Sequence, residues 1–210
     1  MIARSVGSLL CVACCLSLAP GARADHVDMT EAQFKLFHDY LDALKDPRVE
    51  RMKSSKRLPA IARNFGVPVR KLEAAIHKGE ELGGVQAIAK SCQDEVAQEV
   101  QGTPLEGRLG DVRVDASDSH VVTYVSWKAD KPEALEQEAS LLAVRVKRAV
   151  PITADIRLWA TDPASADHKM FDAMITGEAA GRIQEARIAD FAATRYIKLF
   201  EHVKMDRPAQ

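Results

Sequence analysis

The apolar and polar residues between residues 119 and 160 follow two different periods in succession. Val121, Thr123, Val125 and Trp127 fall on one side of a period-two pattern, and all four are β-branched or aromatic. Such an alternation is typical of a strand that buries one face. The sequence therefore predicts a β-strand that ends near Trp127.

A helical period follows this strand and then gives way to a second alternation. Asp130 is placed to cap a helix, and Pro132 stands in the first turn, where proline is tolerated. The apolar stripe of this helix consists of Leu135, Ala139, Leu142, Val146 and Ala149. Ile156, Leu158 and Ala160 then alternate with Arg157 and Trp159, which predicts another strand. We expect a right-handed strand–helix–strand unit whose helix covers one face of the sheet.

The residues that precede this unit carry helical patterns. Thr30 and Gln33 form a capping-box signature, which predicts a helix from Glu31 to about Lys45. Asp46-Pro47 then begins a short second helix, because proline is favoured in a first turn.

Two further helical patterns complete this part of the chain. Residues 58–76 predict a helix, a turn at Gly66 and a second helix, and a longer helix that contains Cys92 ends at Gly102. We therefore predict a helical region over residues 25–102, with a boundary at Thr103-Pro104.

The remaining segments complete a predicted α+β region over residues 103–210. Residues 105–115 alternate, with a bulge at Gly110-Asp111, and form a hairpin with the strand that follows. A short helix is predicted from the spacing of Met170, Phe171, Met174 and Ile175, and a long helix from Glu178 to Lys204. The predicted fold is thus α+β: a helical N-terminal region, then a three-stranded sheet of hairpin, crossover helix and strand, covered by two helices.

The first 24 residues predict a secretory signal peptide. Arg4 precedes a run of mostly apolar residues, and the small-residue pattern Ala22-Arg23-Ala24 predicts cleavage after Ala24. The apolar run is too short for a comfortable transmembrane helix. We expect an exported protein, periplasmic or secreted, and the minor alternative is a lipoprotein acylated at Cys14.

Cleavage at this point changes the cysteine count. Of the 4 cysteines, Cys11, Cys14 and Cys15 belong to the predicted signal, and only Cys92 remains. A disulfide scaffold within the mature chain is therefore excluded. Cys92 lies on the apolar stripe of its helix, so we predict a buried thiol, and an intermolecular disulfide is the alternative.

Charge is distributed unevenly along the chain. The whole sequence has 29 basic and 30 acidic residues, for a formal net charge of −1. Between Asp46 and Lys78 nine basic residues face three acidic ones, a net of +6. Between Gly79 and Glu138 thirteen acids face five bases, a net of −8. A basic segment outside the cytoplasm predicts attraction to an anionic polymer or to lipid headgroups, unless the segment faces water or the acidic part of the same chain.

The helical pair over residues 58–76 resembles two known motifs. Ile61-Ala62, Gly66-Val67, Leu72 and Ala75 match the spacing of a helix-turn-helix, and the same residues resemble the two helices of a LysM peptidoglycan-binding module. The resemblance to LysM implies an envelope ligand. The resemblance to the helix-turn-helix implies that Pro68, Val69, Arg70 and Lys71 read DNA. No LysM strands are predicted around these helices, so a plain structural hairpin remains a third interpretation.

The sequence contains no motif of a known catalytic site. It has no Gly-X-Ser-X-Gly, no His-Glu-X-X-His and no phosphate-binding glycine loop. Asp167, His168 and Asp172 are the nearest to a catalytic nucleus, and two of them would share a helix turn, which is too few ligands for a metal. We predict no metal and no cofactor.

These observations favour a non-enzymatic binding or assembly protein that is exported and acts through a protein or an anionic envelope partner. The predicted binding residues are Arg63, Arg70, Lys71 and Lys78 on the basic helical pair. The first alternative is an exported enzyme whose site forms only in three dimensions. The second is a helix-turn-helix DNA-binding protein, which requires that the signal peptide be misread. We expect no nucleic-acid partner in the exported protein.

Overall fold

The computed structural model describes residues 27–190 and 193–206. The predicted signal peptide lies outside the described residues. Five helices come first along the chain: α1 Glu31–Leu44, α2 Pro47–Glu50, α3 Ser54–Asn64, α4 Val69–Glu81 and α5 Val85–Glu99.

Local signals in the sequence set the boundaries of these helices. The predicted capping box of α1 is confirmed, since the Gln33 amide donates to Thr30 Oγ1 at 3.3 Å and the Thr30 amide donates to Gln33 Oε1 at 2.9 Å. α2 begins where the Asp46 carboxylate accepts the Arg48 amide at 2.8 Å. The turn between α3 and α4 places Gly66 at φ 68°, a left-handed conformation that glycine adopts without a steric cost.

A five-stranded mixed sheet and its helices follow. The elements are β1 Leu109–Asp115, β2 Val122–Lys128, α6 Leu135–Ala149, β3 Asp155–Asp162, β4 Ser165–Thr176, α7 Gly177–Gly181, α8 Ala193–Tyr196 and β5 Glu201–Met205. The strands lie in the order β1-β2-β3-β4-β5. The β2–β3 pair is parallel and is joined by α6, while the other three pairs are antiparallel.

The predicted order of strand, helix and strand is confirmed, and so is the hairpin. The predicted cap at Asp130 is wrong, because α6 begins only at Leu135 and its N-cap residue, Ala134, makes no side-chain capping hydrogen bond. β2, α6 and β3 lie where the two periods place them, and the register between β1 and β2 shifts between Leu109 and Val112. This shift is the predicted bulge. A Cβ atom at Gly110 would lie 2.5 Å from Ser126 Oγ, so a larger residue here would displace the hydroxyl that accepts the Asp111 amide at the bulge.

The prediction of a three-stranded sheet is wrong because the sheet has two further strands. The segment predicted as a short helix is part of β4, where Phe171, Ala173 and Ile175 are buried in alternation with partly exposed neighbours. Met170, Phe171, Met174 and Ile175 satisfy a helical spacing as well, so the pattern was ambiguous.

The predicted long helix over residues 178–204 is also wrong. α7 ends at Gly181, and the later residues Glu201–Met205 form β5, which pairs with the outer edge of β4. This pairing joins Phe171 to Met205 and Met174 to Glu201. The free edge of β4 presents unpaired backbone N–H and C=O groups, which favour pairing with another strand. This pairing outweighs the helical periodicity of the segment.

Two separate hydrophobic clusters stabilise the described chain. The main core lies between the inner face of the sheet, α5 and α6, and it also contains Phe34 and Phe37 of α1. The helical core lies among α1 to α4 and has Ile61, Ala62 and Leu72 at its centre. The predicted division of the chain at residue 102 stays a prediction, and we note that α5 packs against both α6 and β1.

Helix α1 contributes to both clusters through different faces. Phe34, Phe37 and Leu41 contact the main core, whereas Leu36, Tyr40, Ala43 and Leu44 contact the helical core. The first set recurs at positions i, i+3 and i+7, which places it on one side of the helix. α1 therefore separates the two clusters and is shared by both.

The second face of the sheet, which we call the outer sheet face, is more exposed than the first. The register aligns Arg113, Tyr124, Arg157, Met174 and Glu201 in one row across the five strands. Arg113, Arg157 and Glu201 are exposed, while Tyr124 and Met174 are half-buried and belong to neither hydrophobic cluster. This face consequently carries polar and aromatic side chains in place of an apolar layer.

Candidate functional site

The four predicted binding residues lie on α3 and α4 but do not form a single cluster. Arg63 is exposed in the last turn of α3, and Arg70 and Lys71 are exposed in the first turn of α4. Lys78 lies in the last turn of α4, about 12 Å along the axis from Arg70. Its Nζ atom is 3.3 Å from Asp28 Oδ2, so this charge is already partnered within the chain.

Arg63 belongs instead to a shallow groove beside α3, which we call the basic groove. The groove has a volume of about 430 Å³. It is lined by Met52, Lys53, Ser55, Lys56, Pro59, Ala60 and Arg63. Lys56, Pro59, Ala60 and Arg63 recur at the spacing of one helix face, so α3 presents two cations on either side of a small apolar floor.

The three cations of the basic groove have no acidic partner in the described part of the chain. Within residues 27–190 and 193–206, none of the ion pairs involves Lys53, Lys56 or Arg63. By contrast, the nearby Arg57 is used structurally, because its guanidinium donates to the carbonyl oxygens of Glu50 and Met52. The positive charges of the groove are therefore not paired with carboxylates of the described chain.

A second groove adjoins the basic groove and shares Met52 and Ala60 with it. This acidic groove has a volume of about 610 Å³. Its other lining residues are Asp39, Asp42, Ala43, Asp46, Arg48, Val49, Ile61, Asn64 and Phe65. Met52, at the junction, is 38% exposed, although methionine side chains are usually buried.

The carboxylates of the acidic groove are already engaged. Asp39 accepts from Lys35 Nζ at 2.7 Å, and Asp46 caps α2. Asp42 accepts from Lys45 Nζ at 2.7 Å, and this hydrogen bond, assisted by the charges of His38 and Lys45, lowers the pKa of the Asp42 carboxyl below its ordinary value. Two of the three carboxylates on the acidic side are thus paired with a lysine, whereas none of the three cations on the basic side is paired with an acid in the described ranges.

The predicted catalytic nucleus does not form as expected. Asp167, His168 and Asp172 lie on β4 and not on a helix turn. His168 Nε2 is 2.7 Å from Asp206 Oδ2, and Asp172 accepts from Lys169 Nζ at 3.3 Å. These side chains therefore pair with different partners.

No metal site is formed by the described residues. Across residues 27–190 and 193–206, no group of three or more His, Cys, Asp and Glu side chains is arranged to hold a metal ion. This holds for the surroundings of His168, which contacts the two carboxylates of Asp162 and Asp206.

Cys92 lies in the main core, and the prediction of a buried thiol is confirmed. Its side chain is 0% exposed. Burial raises the pKa of the Cys92 thiol to about 12, and the charge of Glu95 adds to this effect. A thiol with this pKa is almost entirely protonated near neutral pH and reacts slowly with oxidants or disulfides.

Sequence reasoning counted Lys53 and Lys56 in the basic segment but did not assign them to the site. The signal that identifies them is the helix face of α3, on which Lys56 and Arg63 are seven residues apart. Met52 was not assigned to the site either, because its spacing of three residues from Val49 on the predicted second helix favours a packed apolar position. The helical face, more than the net charge, locates the groove.

Two further findings concern helices that could span a membrane and proteins that are similar to this chain. In the described ranges, none of the helices combines the length and the apolar character that crossing a bilayer requires. No protein-family model matches the chain, and no curated protein or solved structure matches it either. The basic groove and the other features described above are therefore the basis for assigning a function.

Proposed function

We propose that this chain is a non-enzymatic binding or assembly protein that is exported and engages an anionic protein or envelope partner through the basic groove. The observation that carries the proposal is the set of three cations, Lys53, Lys56 and Arg63, which have no acidic partner in the described chain and surround an apolar floor. Arg70 and Lys71, at the start of α4, are two further exposed cations of the helical region outside the lining of the groove.

The physical reason to expect an anionic partner is the repulsion among the three positive charges of the basic groove. Three cations around one groove repel each other, and an anionic partner converts this repulsion into attraction. Each exposed lysine or arginine near an anionic surface contributes about 1 kcal/mol at moderate salt, so three contribute about a hundredfold in affinity. The exposed Met52 and the methylene groups of Pro59 add apolar contact area.

The shallow shape of the groove supports binding over catalysis. Catalytic sites use groups with strongly shifted pKa values in enclosed clefts. The lining of the basic groove contains no carboxylate, histidine or cysteine that would act as a general acid, base or nucleophile. A surface of this kind suits recognition of a partner's charge.

The first experiment compares three charge variants of the mature chain, residues 25–210, in pull-downs from an envelope extract. The groove variant carries Lys53→Glu, Lys56→Glu and Arg63→Glu, and the α4 variant carries Arg70→Glu and Lys71→Glu. The matched control carries Lys131→Glu, Arg187→Glu and Lys198→Glu, three exposed bases outside the helical region. It makes the same change in net charge as the groove variant.

We expect the groove variant to lose partners that the wild type and the control both retain, and we expect salt to weaken the wild-type interaction. Circular dichroism checks that each variant is folded. If the α4 variant alone loses the partners, the start of α4 is the binding surface. Equal recovery by all versions would refute the basic surface.

A second experiment tests the compartment. N-terminal sequencing of the protein from the extracytoplasmic fraction should begin at Asp25, because cleavage is expected after Ala24. Detection of the intact chain only in the cytosol would exclude an envelope partner. The helix-turn-helix alternative, in which Arg70 and Lys71 contact DNA, would then replace the present proposal.

A further inference from the structure

A second cluster of unpaired cations lies on the outer sheet face, far along the chain from the basic groove. The guanidinium carbon of Arg113 on β1 is 4.2 Å from the ring centre of Tyr124 on β2. The guanidinium carbon of Arg157 on β3 is 5.9 Å from the same ring centre. Because both distances share one endpoint, the two carbons are at most 10.1 Å apart, the sum of the two.

The sheet register explains why three distant sequence positions meet here. Arg113 pairs with Tyr124 across the antiparallel β1–β2 ladder, and Tyr124 pairs with Arg157 across the parallel β2–β3 ladder. Directly opposite residues point to the same face of a sheet, and neighbouring strands are about 4.8 Å apart. The central ring is therefore flanked by an arginine on each side.

The ring holds the arginines without consuming their hydrogen-bonding groups. A guanidinium near an aromatic face is attracted by the ring quadrupole, and its planar edge keeps N–H donors for bidentate contact with an oxyanion. In the ranges 27–190 and 193–206, neither Arg113 nor Arg157 takes part in an ion pair with a carboxylate. Neither of these two adjacent positive charges is thus in a direct ion pair within the described ranges, although hydrogen bonds from Ser117 and then the charge of Arg113 lower the pKa of the nearby Asp115 carboxyl.

Three acidic residues near the cation pair have contacts of their own, while the exposed Glu201 of the same row is separated from Arg157 by Met174. Asp115, two residues after Arg113, accepts the Ser117 amide at 3.2 Å. Asp155, two residues before Arg157, lies 2.8 Å from His120 Nε2, and Asp172 accepts from Lys169. These carboxylates border the cation pair, and none of the three forms an ion pair with Arg113 or Arg157.

We propose that Arg113 and Arg157, gathered at the ring of Tyr124, bind a compact oxyanion with a charge near −2, of the phosphate type. Two positive charges complement the charge of a phosphate group, which is about −1.5 to −2 at neutral pH. The bordering carboxylates disfavour a uniformly anionic partner, because a nucleic acid or an anionic bilayer would place negative charge against Asp115 and Asp155. The proposal does not depend on the basic groove.

The test is a titration of the mature, isotopically labelled protein with inorganic phosphate, followed by NMR of the arginine Nε–H groups. We expect the Arg113 and Arg157 signals to shift together and to saturate. Sulfate, which is also a dianion, should compete, and acetate should compete weakly. Each of Arg113→Gln and Arg157→Gln should weaken phosphate binding about tenfold, since a charge-assisted hydrogen bond of about 1.5 kcal/mol is lost.

Two further variants separate the site from general charge effects. Arg187→Gln is the matched control, because Arg187 is an exposed arginine outside the sheet, close in sequence to Glu185, which pairs with Arg145 of α6. The Arg187→Gln variant should bind phosphate like the wild type. Tyr124→Leu keeps an apolar side chain but removes the ring, and it should weaken binding a few-fold because the guanidiniums lose their attraction to it. Circular dichroism shows which variants remain folded.

Additional probes identify the source of the oxyanion. Glycerol 3-phosphate and a blocked phosphoserine peptide that bind tighter than inorganic phosphate indicate a phosphate group carried by a larger molecule, while equal affinity indicates free phosphate. Binding that is unchanged in both arginine variants, or absent in the wild type, overturns the proposal. So does tighter, arginine-dependent binding to anionic vesicles or to single-stranded nucleic acid, since this would identify an extended polyanion as the ligand.

Discussion

The main core and the helical core differ in how completely they are enclosed. Among the described residues the main core contains thirty-four buried hydrophobic side chains, and the helical core contains three. Most apolar side chains of the helical core, such as Val49, Leu58 and Phe65, are only half-buried. Burial of apolar surface is the dominant stabilising contribution, so the helices α2 to α4 depend on far less of it.

This difference connects stability with function. The basic groove lies on the weakly enclosed side, and its floor is formed by residues that the helical core cannot cover. Regions with few buried apolar contacts open locally at a lower free energy than the rest of the protein. We expect the two clusters to unfold with different free energies, and the substitutions of Leu142 and Leu72 below test that expectation directly.

The largest effect is expected from Leu142→Ala in the main core. Leu142 on α6 is 0% exposed, and its truncation should lower the global free energy of unfolding by about 3 to 5 kcal/mol, because it loses apolar burial and leaves a cavity. Urea denaturation measures the change. Leu141→Ala, at a half-buried neighbouring position, is the control and should cost clearly less. Equal losses of stability would contradict the expectation that the cost of truncation in the main core follows the burial of the side chain.

A somewhat smaller effect is expected from Glu138→Ala, which removes a buried acceptor next to the main core. Trp127 Nε1 donates to Glu138 Oε2 at 2.8 Å, and Arg108 Nη2 is 2.6 Å from Glu138 Oε1. Without the carboxylate, Trp127 and Arg108 both lose this acceptor, and we expect the free energy of unfolding to fall by about 2 to 4 kcal/mol. The fall is limited because Arg108 is partly exposed to solvent. Glu133→Ala, at an exposed position, serves as the control. A loss below that of the control would contradict the role of this pair.

Leu72→Ala should affect the helical core alone. Leu72 on α4 is 0% exposed, yet it belongs to the small cluster, so we expect a cost of about 2 to 3 kcal/mol that appears mainly as local opening. Hydrogen exchange should accelerate in α3 and α4 while the β2 and β3 amides keep their protection. Leu58→Ala, at a half-buried position, is the matched comparison. Faster exchange throughout the sheet would show that the clusters unfold as one unit.

The smallest effect is expected from the pH dependence at the sheet edge. Hydrogen bonds to Asp206 and then Asp162 raise the pKa of His168 above its ordinary value of 6.5. The stabilisation of the folded state by protonated His168 is therefore complete below the pKa that His168 has in the unfolded state. It is lost as the pH rises through the raised pKa of the folded state. The protection of the β5 amides, that is, their exchange rate relative to the intrinsic rate at each pH, should fall over this interval, and His168→Gln should abolish this fall. A fall in protection on acidification would have the wrong sign for this account.

Local periodicity was sufficient for one part of the fold. The strand–helix–strand unit could be predicted because each of its elements carries its own pattern, such as the stripe of Leu135 and Leu142 on α6. β4 was predicted as a helix because its apolar residues fit either period, and the alternative depends on neighbouring strands. β5 pairs with β4, in which Phe171 lies opposite Met205, thirty-four residues later in the sequence, and no local pattern encodes such a pairing.

The candidate sites show the same limit. Arg63 was predicted because the basic charge is concentrated along the chain, and Lys56 follows from it once the face of α3 is known. The cluster of Arg113, Tyr124 and Arg157 depends on the registers of two ladders, one antiparallel and one parallel. A single sequence determines which residues alternate, but a shift of register would separate these side chains.

The double role of α1 has a consequence for how this protein tolerates sequence change. A helix that packs on one side has a solvent face on which most substitutions are neutral, but α1 has Phe34 and Phe37 on one side and Leu36 and Tyr40 on another. Few of its positions are free to vary. In a scan of all single substitutions, α1 should therefore be the least permissive helix of the N-terminal region, and α3, with its open charged side, should accept the most replacements.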